Sequence, residues 1–245
     1  MAMYVFKDAA REHKLLARDA QRQDKSIRFY CPNKKCDAHM YVRSLDGVAK
    51  AYFGARKSYS HEKGCPYTSR GFQPNLHDEN GFKFEDALLS LTRQSKTQSK
   101  SEIPREHGTG EVRPKPIHTI RQIYSMCKSH DCSDLYNGKI IGQMLLDERS
   151  AYMYPKGVFG WRLIELKYRY YSSDRKEIAL VGPSNGKEYT FIVKFGDERL
   201  FKEINKIVYE NRNHLIIVAG EWKSSGKYNT FCTEFKSKKQ LAIEK

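Results

Sequence analysis

Apolar and polar residues alternate most clearly in the last third of the chain. In GWRLIELKYRYY, Ile164, Leu166, Tyr168 and Tyr170 share one face of a predicted strand, and charged residues occupy most of the other. The same period predicts four further strands, in KEIALVG, KEYTFIVKF, HLIIVAGEW and YNTFCTEF, with turn residues between the members of each pair. A final short run, QLAIEK, predicts an edge strand.

A helical period lies between the third and the fourth of these strands. Apolar residues recur at helical spacing from Leu200 to Val208, and Asp197 is placed to cap the helix. Three strands, a helix and two strands over residues 160–236 resemble an OB-fold in element order and length. The resemblance implies a five-stranded barrel with one helix between strands three and four.

The N-terminal pattern leaves two alternatives open. Ala9, Ala10, Leu15 and Leu16 fit one face of a helix, whereas Leu15–Ala17 and Ile27–Tyr30 also fit two strands of a hairpin. Further on, the turn signal Asp46-Gly47 separates two β-prone runs and predicts a hairpin of Met40–Arg43 with Val48–Phe53.

The middle of the chain suggests a domain boundary. FKFEDALLSL predicts a short helix, and a second helix is predicted over Ile120–Lys128. Between them, polar residues with Pro and Gly predict a linker. We therefore expect a mostly β, α+β protein with a small module over 1–92, a basic flexible linker over 93–117 and a barrel domain over 118–245.

Charge is the strongest global feature, because the chain carries a formal net charge of +15. Residues 1–117 hold 22 Lys/Arg against 14 Asp/Glu, and the remainder holds 22 against 15, so both halves are basic. Such a surface, with 16 Tyr and 12 Phe beside it, favours contact with nucleic acid. No apolar run is long enough to span a bilayer, and no signal-peptide core is visible, so we expect a cytoplasmic protein without membrane contact.

In that compartment paired cysteines indicate a metal site before a disulfide. Cys31 and Cys36 are spaced C-x4-C, and His61 and Cys65 are spaced H-x3-C, with the predicted hairpin between the pairs. The sequence therefore predicts one structural Zn²⁺, since four protein ligands leave no open position for chemistry. His39 is an alternative to one of the named ligands.

The residues of this site also carry a resemblance. Y-x-C-P-x3-C after a strand, a basic hairpin ending in AYF, and then H-x3-C resemble the N-terminal zinc-ribbon-like module of competence-protein CoiA-like proteins. The similarity covers roughly residues 10–67, although members of that family more often use C-x2-C and a histidine-rich end. It implies a bacterial or phage zinc module associated with DNA and no catalytic assignment.

The three remaining cysteines have simpler interpretations. Cys127, His130 and Cys132 could begin a second metal site, but no fourth ligand is evident, and a helix end followed by a polar loop explains them. Cys232 falls within a strand pattern, where a buried cysteine behaves as a small apolar residue.

Basic and aromatic residues in predicted strands and turns are the candidates for nucleic-acid contact, because phosphates bind cations and bases stack on rings. Aromatic residues in strands pack in cores more often than they stack on bases. The set as a whole therefore indicates nucleic-acid contact more strongly than any single residue does. The candidates are Arg43, Lys50, Arg56, Lys57, Lys167, Arg169, Tyr171, Lys194, Trp222, Lys223 and Tyr228.

No phosphate-binding glycine loop, nucleophile elbow or H-E-x-x-H motif is present. We therefore expect a non-enzymatic, zinc-containing protein that binds nucleic acid, with single-stranded DNA or RNA preferred. One alternative is a protein-binding adaptor in phage defence or DNA uptake. A second is a metal-dependent nuclease that uses the acidic residues of His77-Asp78-Glu79 or Asp147-Glu148.

Overall fold

The computed structural model describes residues 1–46, 50–63, 65–68, 72–93, 114–184, 186 and 188–244. The N-terminal part contains five strands: β1 (Tyr4–Phe6), β2 (Lys14–Leu16), β3 (Phe29–Tyr30), β4 (His39–Arg43) and β5 (Tyr52–Ala55). They form an antiparallel sheet in the order β2-β1-β3-β4-β5.

The opening segment forms strands, and the helical alternative is wrong. The predicted hairpin pairing is also wrong, because β1 lies between β2 and β3 and pairs with both. The hairpin of β4 with β5 is confirmed, with Arg43 opposite Tyr52. Its second strand begins later than predicted, and residues 47–49 of the expected turn lie outside the described residues.

One face of this N-terminal sheet builds a small core of its own. Phe29, Met40 and Phe53 are almost completely buried on that face, and the ring of Phe29 meets the ring of Phe53 edge-on. Cys31, Cys36 and Cys65 belong to the same core. The opposite face is open to solvent, which matters for the site below.

The C-terminal part is a closed five-stranded barrel. Its strands are β9 (Gly160–Ser172), β10 (Glu177–Gly182), β11 (Tyr189–Phe195), β12 (Leu215–Ser224) and β13 (Thr230–Phe235). They follow one another as β9-β10-β11-β13-β12, and β12 closes the barrel by pairing with β9. Among these five strands, β11 and β13 pair in parallel, and the other neighbours pair antiparallel. Helix α4 (Glu198–Glu210) connects β11 to β12, and Asp197 caps it as predicted. This arrangement fits the predicted OB-like barrel.

Side chains fill the barrel, and α4 closes one end of it. Phe191 and Trp222 meet edge-on in the interior, and Phe201 of α4 packs on Phe195. Gly220 is required in this wall, because a Cβ there would lie 2.3 Å from Oγ1 of Thr233.

A β-bulge changes the phase of β9. Leu180 pairs with Tyr168, but the next residue of β10, Ala179, pairs with Tyr170. Residues of β9 after the bulge therefore lie on the face opposite to the one that strict alternation predicts. Tyr170 was predicted on the inner face and is 46% exposed. Tyr171 lies instead on the side that approaches α4.

A second core joins the barrel wall to the middle of the chain. Its elements are α1 (Phe84–Thr92), α2 (Ile120–Ser129), β6 (Leu135–Tyr136), β7 (Lys139–Ile140), α3 (Ile141–Met144) and β8 (Leu145–Leu146). The predicted edge strand is present as β14 (Leu241–Glu244), paired with β12. Leu163 and Ile217, on the outer surface of the barrel, are covered by these elements.

The packing of α1 corrects the predicted grouping of elements. Leu88 and Leu91 of α1 share the second core with Ile123 of α2, whereas the N-terminal core ends at Tyr67. Helix α1 therefore packs with the barrel and not with the N-terminal module. Most of the predicted linker over 93–117, namely 94–113, lies outside the described residues. Ile117, at its end, is buried in the second core.

Polar contacts attach the N-terminal module to the rest of the protein. The amide of Met3 donates to the carbonyl of Ser129, and Lys14 pairs with Asp131 at 2.6 Å. Lys50 forms an ion pair with Glu79.

Among the residues described, no helix combines the length and apolar character needed to cross a bilayer.

Candidate metal centre and nucleic-acid interface

Two loops of the N-terminal module bring three cysteines and one histidine together. Cys31 directly follows β3, and Cys36 lies in the connection to β4. His61 and Cys65 follow β5 and a short 3₁₀ turn. All four candidate ligand atoms lie within 4.8 Å of one another. The predicted set is therefore assembled in space, although 30 residues separate Cys31 from His61 in sequence.

The distances between these atoms fit a tetrahedral site. Nδ1 of His61 lies 3.6 Å from Sγ of Cys31 and 3.4 Å from both other sulfurs, and Sγ of Cys31 lies 3.7 Å from Sγ of Cys65. Tetrahedral coordination with Zn–S near 2.3 Å and Zn–N near 2.05 Å requires about 3.8 Å between sulfurs and about 3.6 Å between sulfur and nitrogen. The cluster can therefore hold one metal ion with four protein ligands.

The surroundings of the cluster suit metal ligation. Cys31 and Cys36 are completely buried, and all six cysteines of the chain are free thiols. Hydrogen bonds from Cys31 and His61 lower the pKa of the Cys65 thiol. A thiolate in this position is the form of cysteine that binds a metal.

The side chain of Arg11 forms hydrogen bonds with the loop that carries Cys31 and Cys36. Its guanidinium donates to the carbonyls of Cys31 at 3.0 Å, Cys36 at 3.3 Å and Asn33 at 3.4 Å. Arg11 was not predicted from the sequence, since nothing in the spacing of the ligands points to an arginine twenty positions before Cys31.

Substituting Arg11→Ala is expected to make the metal more labile without changing the ligands. Loss of groups that orient a metal ligand commonly lowers affinity by about 10–100-fold, so we expect transfer to a chelator to accelerate at least about tenfold. Stopped-flow transfer to a chromogenic chelator measures this rate. The control is Arg22→Ala, an exposed arginine of the same module. Equal transfer rates for the two variants would contradict the assigned role of Arg11.

The other candidate ligands lie elsewhere. The ring of His39 stacks on Tyr59 with centroids 3.9 Å apart, outside the cluster. Nδ1 of His130 lies 2.9 Å from the carbonyl of Met126, and Cys127 is buried in the second core. Cys232 is half-buried, less than a core position requires.

The open face of the N-terminal sheet carries rings and cations together, and we call it the aromatic–arginine face. Strand register places Tyr30 opposite His39, and Arg43 opposite Tyr52, so these side chains share one side. Tyr41 lies between His39 and Arg43 on that side. The full set is Arg28, Tyr30, His39, Tyr41, Arg43, Tyr52, Arg56 and Tyr59.

Guanidinium groups lie directly over the rings of this face. Arg56 lies 4.1 Å from the ring centre of Tyr41, and Arg28 lies 5.0 Å from that of Tyr30. Partial burial, and then the nearby Arg28 and Arg56, lower the pKa of His39. The face is therefore positively charged and offers flat groups for stacking.

The acidic side chains that lie close to this face in the described part of the chain are Asp46, beside Arg43 and Arg56, and Asp37, which acts electrostatically on His39. The ion pairs of the N-terminal module use Asp8, Asp19, Asp131, Asp134 and Glu79, and their partners are other cations. Arg43 and Arg56 also line a depression of about 330 Å³, whose other charged residues are Lys25 and Asp46, so cations outnumber carboxylates there. Of the predicted contacts, Arg43 and Arg56 belong to this face and Lys57 is exposed in the turn beside Tyr59. Lys50 instead pairs with Glu79.

The barrel candidates are spread over several surfaces, and three of their four cations have acidic partners. Arg169 pairs with Glu188, Lys194 lies 4.0 Å from Glu177, and Lys223 pairs with Glu221. Tyr228, on the turn between β12 and β13, is 83% exposed.

Lys167 lines a cavity of about 450 Å³ whose other charged residues include Glu148, Glu165 and Glu244. Burial, and then Glu165, raise the pKa of Glu244. This cavity is less suited to phosphate than the aromatic–arginine face, because carboxylates outnumber ammonium groups in its lining.

The prediction that Trp222 contacts nucleic acid is wrong for this structure. Trp222 is 1% exposed, in phase with Ile216 and Val218 on the inner face of β12. A base cannot stack on a ring enclosed by the barrel. The alternation of apolar residues in β12 already indicates this burial, because Trp222 lies an even number of residues after Ile216 and Val218.

Three of the acidic residues considered for a nuclease, Asp78, Glu79 and Asp147, have structural partners, and Glu148 is exposed. Glu79 pairs with Lys50 and accepts from the amide of Asn137, and Asp78 accepts from the amide of Asn80. Asp147 is 1% exposed and pairs with Lys128 and Arg149.

Comparisons with protein families, with curated proteins and with solved structures found no match to this chain.

Proposed function

We propose that this protein binds single-stranded nucleic acid through the aromatic–arginine face, on a module built around one structural Zn²⁺. The observation that carries the proposal is the combination, on one open sheet face, of stacked rings with the guanidinium groups of Arg28, Arg43 and Arg56. Arginines supply the phosphate contacts that dominate affinity, and rings supply stacking that tolerates any base.

Zinc is the metal that this donor set favours. Three thiolates and one imidazole are soft to intermediate ligands that suit tetrahedral Zn²⁺, and hard cations such as Mg²⁺ prefer oxygen. With Cys31, Cys36, His61 and Cys65 as ligands, the ion would crosslink two loops of a zinc-ribbon-like module. Its contribution would be to hold β3, β4 and β5 in register.

The barrel supports the same function. Its strand order and the position of α4 are those of an OB-fold, an architecture that binds oligonucleotides and also sugars and proteins. Arg169, Lys194, Lys223 and Tyr228 are accessible on its surface. Exposed ion pairs contribute little, about 0–1 kcal/mol, so phosphate can replace their acidic partners.

Substituting both Arg43 and Arg56 by alanine is expected to weaken binding to a labelled single-stranded oligonucleotide by about tenfold or more. If each arginine contacts one phosphate, the slope of log affinity against log salt should also fall by about 1.4. Fluorescence anisotropy at several salt concentrations measures both quantities.

The matched control is the double variant Arg18→Ala with Arg22→Ala, which removes the same two charges from exposed arginines outside the aromatic–arginine face. Equal losses in the two proteins would indicate a general charge effect and contradict the assigned face. Wild-type protein that binds no oligonucleotide, or binds independently of salt, would contradict the proposed function. Tighter binding to duplex would contradict the preference for single strands.

A further inference from the structure

A groove of about 560 Å³ separates helix α4 from the turn between β9 and β10. Tyr171, at the end of β9, and Tyr209, near the end of α4, both line it and are 44% and 48% exposed. Lys176 comes from the turn, and Lys202 and Lys206 come from the helix. The groove therefore combines two accessible rings with three ammonium groups.

Helical spacing and the bulge in β9 bring these groups together. Lys202, Lys206 and Tyr209 follow one another at i, i+4 and i+7 and so lie on one face of α4. The bulge turns Tyr171 toward that face. The charged residues of the lining are three lysines and Glu198, which gives a formal charge of +2.

The acidic residue does not close the groove to anions. Glu198 pairs with Lys202 at 2.7 Å, but both side chains are more than half exposed. An exposed pair of this kind is weak, so Lys202 can exchange Glu198 for a phosphate.

A polar atom in the same lining has no partner. Oδ1 of Asn205 is shielded from solvent and accepts no hydrogen bond from any described residue. Buried acceptors nearly always have a hydrogen-bond donor, so Oδ1 of Asn205 is free to accept a hydrogen bond from a ligand. A small adjustment of the side chain would let a base or sugar group supply that donor.

We propose that this groove binds a phosphorylated nucleoside. The base packs against Tyr171 and Tyr209, the phosphate contacts Lys202 and Lys206, and a donor of the base or sugar reaches Asn205. Inorganic phosphate would use the lysines alone and leave the rings and Asn205 unused. The nucleoside is either a free mononucleotide or one unit of a strand, and the second source rests on the proposed function.

Isothermal titration calorimetry of the full chain with AMP, and separately with inorganic phosphate, tests the groove. We expect AMP to bind more tightly than phosphate, and Lys206→Ala and Asn205→Leu each to raise its Kd by about fivefold or more. Arg199→Ala removes a cation from α4 that does not line the groove, and should leave the Kd unchanged. Absence of AMP binding at about 10 mM, a concentration well above the Kd of a specific site, would overturn the proposal. Equal effects of Lys206→Ala and Arg199→Ala would also overturn it.

The same variants identify the source of the nucleoside. If Lys206→Ala weakens binding of both AMP and the oligonucleotide, the groove holds one unit of a strand. If it weakens AMP binding alone, the groove holds a free nucleotide. Because Arg43 and Arg56 lie on a different surface, AMP binding that persists without oligonucleotide binding would contradict the proposed function and leave the groove supported.

Discussion

Replacing Cys36 by serine is expected to release the metal and unfold the N-terminal module while the barrel stays folded. Structural zinc contributes about 10–16 kcal/mol of apparent free energy in finger peptides, more than a small module gains from its own core. Cys36 is completely buried at the centre of that core. Zinc content by elemental analysis should fall from about one per chain to near zero. Amide hydrogen exchange should show lost protection over 1–68 and retained protection over 160–244.

The matched control for this experiment is Cys232→Ser. Cys232 is a free, half-buried thiol on β13, remote from the cluster. It should keep both the metal and the protection pattern of the wild type. A Cys36→Ser protein with about one zinc per chain and unchanged exchange would contradict the assigned ligand set.

Replacing Asp147 by asparagine is expected to destabilise the body of the protein by about 3–5 kcal/mol, the usual cost of breaking a buried ion pair. Oδ2 of Asp147 lies 3.0 Å from Nζ of Lys128 and 2.8 Å from Nε of Arg149. Arg149 also donates to the carbonyls of His130 and Cys127. The substitution leaves the cations close together, with Glu165 as the remaining carboxylate near Lys128. Urea unfolding at neutral pH measures the change in the free energy of unfolding.

The carboxylate of Asp147 should also make the free energy of unfolding depend on pH. Burial opposes ionisation of Asp147, but Arg149 and Lys128 outweigh it and hold its pKa below the usual value. A depressed pKa contributes stability above the unfolded value near 3.9, and that contribution disappears as the pH falls through the folded value. The difference in unfolding free energy between wild type and Asp147→Asn should therefore shrink below about pH 4.

Glu148→Gln controls for the loss of one carboxylate, because Glu148 is an exposed neighbour in sequence. It should change the free energy of unfolding by less than about 0.5 kcal/mol. A loss for Asp147→Asn as small as that, or a difference from wild type that does not vary with pH, would contradict the structural role of the ion pair.

Local patterns predicted much of this protein because they report local physics. Asp197 caps α4 through a contact only three residues away, with the amide of Leu200. The alternation of β10 and β11 reflects burial on one face, and both strands are present as predicted. The metal ligands were recognisable because each pair lies within one turn of chain.

Predictions failed where distant segments decide burial. The alternation of β9 places Glu165 on the face opposite Ile164 and Leu166, yet its side chain is buried, and Tyr124 of α2 donates to its carboxylate at 2.8 Å. Helix α1 was assigned to the first module and packs on the barrel instead. The bulge in β9 moves Tyr171 toward α4, because an extra residue in one strand shifts its phase.

The sequence by itself determined the three longer helices, most of the strands, the pairs of metal ligands and the basic character of both halves. These features depend on side-chain type and on spacing within one element or turn. Only the tertiary structure decided which surfaces are open. The aromatic–arginine face exists because β3, β4 and β5 pair in one register, with the buried residues of each strand on the opposite side. Register and packing are set by contacts between segments far apart in the chain, which the spacing of residues within a segment does not encode.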